Sequence, residues 1–113
     1  MRTTKKAIKE AEVSTMIYKM KVTITDPNTK DGFFSSLYFD LDCNFAYNPE
    51  QYGNGYYVSV GSKNFYPQMI DLRYDKSFDP KNKTKWLEEW AKNYWSGKNG
   101  AWAIKTLEII KVE

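Results

Sequence analysis

Residues 37–45 read LYFDLDCNF, and the run alternates without a break. Leu37, Phe39, Leu41, Cys43 and Phe45 fall on one side of an extended chain, with Tyr38, Asp40, Asp42 and Asn44 on the other. Side chains of a strand point to opposite faces in turn, so this segment reads as a strand with one buried face and one wet face. Residues 16–25, MIYKMKVTIT, carry the same signal. Tyr18, Met20, Val22 and Ile24 share one face, and Lys19, Lys21, Thr23 and Thr25 the other. The breaker DPNTKDG (26–32) stands between the two runs, which predicts a hairpin.

Downstream of these strands, Asn48, Pro49, Gly53, Asn54 and Gly55 mark a loop, after which YYVSVGSK sets Tyr56, Val58 and Val60 against Tyr57 and Ser59. QMIDLRYD (68–75) predicts a fourth strand, with Ile70, Leu72 and Tyr74 inward and Asp71 and Arg73 outward. Pro67 would sit at its start, because proline takes a donor from the ladder. The period then changes. Leu87, Trp90, Ala91 and Tyr94 fall at i, i+3, i+4 and i+7, one face of a helix. Asp79 followed by Pro80 offers a cap and first position, and Asn82 would cap a shorter helix. The last run, AWAIKTLEIIKV, is β-rich but changes parity around Leu107 to Ile110, the mark of a doubly buried strand or of a bulge. At the other end, Thr3 or Thr4 would cap a short helix bearing Ala7, Ile8 and Ala11, loosely docked over residues 1–14.

These elements predict one compact α+β domain over residues 1–113. A mainly antiparallel sheet of about five strands carries one long C-terminal helix packed on one face and a short N-terminal helix.

Composition narrows the chemistry. With no histidine and one cysteine, the chain cannot assemble a Ser-His-Asp or Cys-His pair or a four-ligand zinc site. Cys43, on the inward parity of its strand, reads as a small core residue. No cofactor is expected, and the chain does not read as an enzyme. One carboxylate reading stays open: Asp40 and Asp42 share a strand face and, joined by Asp71, would form a nuclease-like metal cluster. The stretch YWSGKNGAW (94–102) is not a phosphate loop, since Lys98 is followed by Asn99 and the order is helix then strand. Gly97 ending the helix and Asn99-Gly100 turning into the last strand account for it. No run of apolar residues is long enough to span a membrane, and a lone cysteine fits a reducing cytosol.

The net charge of +3 hides a segregation along the chain. Residues 1–30 hold seven Lys/Arg against three Asp/Glu, residues 31–79 three against seven, and residues 80–113 seven against four. The acidic middle block is also rich in Tyr and Phe. Its wet strand faces predict a partner-binding surface made of Tyr38, Asp40, Asp42, Tyr57 and Asp71, where tyrosines anchor and carboxylates attract a partner's Lys and Arg. The basic ends support a second reading. Lys5, Lys6, Lys9, Lys81, Lys83 and Lys85 would grip phosphates of DNA or RNA, with Trp86 or Trp95 stacking on bases.

From RYDKSFDP through WLEEWAKNYWSGKNGAWAIKTLEI, the chain resembles small accessory proteins of Gram-positive phages and mobile genetic elements, a group that includes anti-CRISPR and anti-restriction proteins. The resemblance implies an interaction protein that inhibits a bacterial nucleic-acid-handling enzyme, such as a type II CRISPR effector nuclease, inside the host cytoplasm. Anti-restriction DNA mimics are strongly acidic overall. This chain departs from them, so any mimicry is confined to the acidic middle block.

Overall fold

The computed structural model describes residues 14–26, 36–96 and 102–112. Alternating patterns become strands: β1 (Ser14–Thr25), β2 (Ser36–Tyr47), β3 (Tyr56–Ser62) and β4 (Phe65–Asp71), followed by helix α1 (Lys83–Ser96) and strand β5 (Ala103–Lys111). All pairings are antiparallel, and the order across the sheet is β4-β3-β2-β1-β5. Four strands thus form a meander, and the helix carries the chain back so that β5 lies beside β1.

One feature of the expected fold needs correction. The described residues hold a single helix of 14 residues, set between β4 and β5, and not one long C-terminal helix joined by a short N-terminal one. Its start explains its length. Asp79 and Pro80 form a turn of their own, with the amide of Asn82 donating to the Asp79 carbonyl. Asn82 then caps the helix, its Oδ1 accepting from the Thr84 hydroxyl at 3.1 Å and the Lys85 amide at 3.3 Å. The N-terminal helix expected over residues 1–14 lies outside the described residues except for Ser14, which begins β1. The turns expected at 27–32 and 97–100 also lie outside them.

The core fills the space between the sheet and α1. Tyr18, Met20, Val22 and Ile24 of β1, Leu41, Cys43 and Phe45 of β2, and Val58 and Val60 of β3 are buried on one face. The helix meets them with Trp86, Leu87, Ala91 and Trp95. Trp86 packs edge-on against Phe45 at 6.4 Å, while Trp95 stacks on Phe39 at 5.8 Å, so two indoles grip β2 near its two ends. The buried stripe is therefore rotated from the expected one. Tyr94 is exposed, and the larger indoles of Trp86 and Trp95 take the sheet side. A hydrogen bond holds one end, the Trp86 indole N–H donating to Asp75 Oδ2 at 2.9 Å. The Ser77 hydroxyl first, and then this indole, keep the Asp75 carboxyl below its ordinary value.

Two irregularities explain departures from simple alternation. Between Thr23 and Ile24 the β1–β5 register shifts, leaving Lys105 as an extra residue. Ile104 before it and Leu107 and Ile109 after it then reach the same side, which accounts for the parity change. In β4 the register with β3 slips between Ser62↔Phe65 and Val60↔Gln68, placing a bulge at Tyr66-Pro67. Pro67 thus lies inside an edge strand, not at its beginning. Gly61 opposite permits this, since a Cβ there would come 2.8 Å from Pro67 Cα. β4 also ends sooner than expected. The chain turns away after Leu72, with the Asp75 amide donating to the Leu72 carbonyl, and Phe78 enters the core where Tyr74 was expected.

Leu37 and Leu41 share a parity on β2, yet Leu37 is 46% exposed and Leu41 fully buried. Leu41→Ala should cost about 2–5 kcal/mol in urea unfolding, and Leu37→Ala under about 1 kcal/mol. Equal losses would mean that the helix does not lie as described.

Candidate functional site

One helix covers one face of the sheet. The opposite face carries the outward residues of the strands, and all five sequence-predicted partner residues lie on it: Tyr38, Asp40 and Asp42 on β2, Tyr57 on β3, and Asp71 on β4. They form two groups, not one. Tyr57 stands opposite Ala46, eight positions along β2 from Tyr38, or about 26 Å. The row of Asn44, Ser59 and Met69 separates them.

The first group is not bare carboxylate. Register pairs Lys19 with Asp42 and Lys21 with Asp40 across β1 and β2. The Lys19 ammonium donates to Asp42 Oδ1 at 2.8 Å and lies 3.1 Å from Asp40 Oδ1. Bonding to Asp42 first, then to Asp40, raises the Lys19 pKa above its ordinary value. That ammonium occupies the position between the two carboxylates where a divalent cation would have to sit. Asp71 stands on another strand with its own partner, and no metal-ligating cluster is found among the described residues. The metal reading therefore finds no support in this geometry.

The second group is an aromatic sandwich. Arg73 grips Asp71 with two nitrogens, Nε at 3.0 Å from Oδ1 and Nη2 at 2.8 Å from Oδ2. This fork is the chief reason that the Asp71 carboxyl is held below its ordinary value. The guanidinium also lies over Tyr57 at 5.2 Å and Tyr74 at 5.8 Å. A neighbouring loop holds the arrangement in place. Asn54 donates its amide to the Arg73 carbonyl and its side-chain nitrogen to the Leu72 carbonyl, at 3.0 and 2.9 Å. Gly53, at φ 71°, packs so closely that a Cβ would meet the Arg73 carbonyl oxygen at 2.3 Å. Gln51 on this loop accepts from the Tyr57 hydroxyl at 3.3 Å.

Sequence reasoning set Lys19 on the wet face of β1 but did not join it to Asp40 and Asp42, and it placed Tyr74 in the core. The signal for Lys19 was present: Lys19 and Asp42 both alternate outward, and hairpin pairing brings them together. Tyr74 carried no comparable signal, because the early end of β4 depends on turn contacts remote in sequence.

The stacking platforms of the nucleic-acid reading are also corrected. Trp86 and Trp95 are buried in the core and cannot stack on bases. Lys83 donates to the Pro80 carbonyl and lies over the Tyr56 ring at 5.4 Å, while Lys5, Lys6 and Lys9 lie outside the described residues. No family model, curated protein or solved structure matches the chain. No described helix is long and apolar enough to cross a membrane.

Cys43 faces the core and is fully buried, and burial pushes its thiol up to about 12 from an ordinary 9.0. An acid whose folded pKa is raised favours the native state below its unfolded value. That contribution disappears as pH climbs from about 9 toward about 12. In native protein at mildly alkaline pH, iodoacetamide should leave Cys43 unmodified, and unfolding in denaturant should expose it. Rapid labelling of the folded chain would show that the β2 core is open.

Proposed function

We propose that this chain is an interaction protein that binds another protein through the open face of its sheet. The supporting observation is the pairing of a face that no described element covers with ordered, partly exposed tyrosines and carboxylate–cation pairs. Tyr38 offers broad contact area with few torsions to freeze. Asp40 and Asp42 already hold an ammonium, so the site is shaped for a cationic side chain, and a partner's Arg or Lys would exchange with or join Lys19. Such a cation is the group that a nucleic-acid-handling enzyme uses to grip phosphate. A bacterial enzyme of this kind is the proposed target, with a type II CRISPR effector nuclease the class that the C-terminal resemblance favours. The action is steric and electrostatic: the occupied cations no longer reach nucleic acid.

Purified chain in excess should suppress target cleavage by such a nuclease. Asp40→Lys combined with Asp42→Lys should weaken binding by about tenfold or more, with circular dichroism unchanged. A double variant that inhibits as well as its parent would remove the carboxylates from the contact. A parent chain that leaves cleavage untouched would remove this target class.

A further inference from the structure

β4 is an edge strand, and its ladder to β3 shows which of its backbone groups lack a partner. The Leu72 amide donates to the Tyr56 carbonyl, which in an antiparallel ladder makes Ile70↔Val58 and Gln68↔Val60 the hydrogen-bonded pairs. The amides and carbonyls of Met69 and Asp71 therefore point away from the sheet, and no described residue pairs with them. The usable edge is sharply bounded. On one side Pro67 has no N–H. On the other, the Arg73 amide donates to Asp71 Oδ1 and the Arg73 carbonyl accepts from Asn54.

We propose that this edge pairs with the β4 edge of a second copy of the chain, antiparallel, with Ile70 on the two-fold axis. In that register Met69 faces Asp71 of the second copy, and Asp71 faces its Met69. All four free groups on each copy are then satisfied by four hydrogen bonds. The neighbouring register, centred on Met69, would set Asp71 against a proline that has no donor. In the Ile70 register Pro67 instead falls where the second copy's chain has already turned away after Leu72, so its missing donor leaves no acceptor unpaired.

Side chains support the same pairing. Ile70 is only half-buried on the helix side of the sheet and would close against Ile70 of the second copy. Tyr66 and Met69 are 87% and 76% exposed along this edge, and the pairing would cover Met69. Residues 66–70 carry no charge to guard the edge. The opposite edge, β5, carries Lys105, Glu108 and Lys111, the kind of residues that discourage strand addition. The product is a continuous ten-stranded sheet with closed two-fold symmetry, which leaves Tyr38, Asp40 and Asp42 open on both copies.

Sedimentation equilibrium of the full chain should show the mass rising with concentration from 13.3 kDa toward twice that value. Met69→Asp, which sets a carboxylate against Asp71 of the second copy, should hold the mass at one chain without altering circular dichroism. Ile70→Cys should give a disulfide-linked dimer on mild oxidation, because non-hydrogen-bonded residues facing across an antiparallel pair lie within disulfide reach. Tyr38→Cys, on the open face, should not. A wild-type chain that stays at one-chain mass at every concentration would overturn the proposal. So would a dimer indifferent to Met69→Asp, or cross-linking as ready at residue 38 as at residue 70.

Discussion

Everything in this structure depends on the grip of two tryptophans on one strand. Trp86 against Phe45 and Trp95 against Phe39 fix a helix of 14 residues, about 21 Å long, along β2. One helix of that length shields one side of a five-stranded sheet. The other side must therefore be stable in water, and the outward residues of β1 and β2 show how: Lys, Thr, Asp and Asn alternate with the apolar set. The polar face of the sheet is thus a consequence of the way the core is closed.

Strand pairing also decides what that face can do chemically. Counted along the chain, the lysines of β1 belong to a basic block and the aspartates of β2 to an acidic one. In space they are neighbours, and Lys19 sits between Asp40 and Asp42. The surface is consequently a set of formed ion pairs and not an acidic field. On the proposed reading, a partner would be selected by geometry, through cation exchange at β2 and aromatic contact at Tyr57, Arg73 and Tyr74, more than by long-range attraction.

How legible this was from sequence varied with the range of the interactions involved. β1 was readable residue by residue, because alternation there is a local property and all four inward side chains are buried. On β2 the same rule failed only at Leu37, near the strand's start, where alternation persists but burial does not. The helix was legible as a helix but not in its length or its rotation. A periodic template starting at Leu87 fits nearly as well as one including Trp86 and Trp95, and only the rings of β2 distinguish them. β4 was the least legible element, since its bulge at Tyr66-Pro67 and its early end depend on Gly61, Asn54 and Phe78 from elsewhere. The five site residues were placed on one face correctly by parity. Their division into two groups and their cationic partners required the register.

Hydroxyl-radical footprinting of the isolated chain tests the two-sided sheet most directly, because it reads ring exposure residue by residue. Tyr38, on the open face, should be oxidised rapidly, while Trp86, Trp95 and Phe45 stay protected until the chain unfolds. If Trp86 and Trp95 were oxidised as fast as Tyr38 in native protein, the helix would not close the face described here, and the account would fail with it.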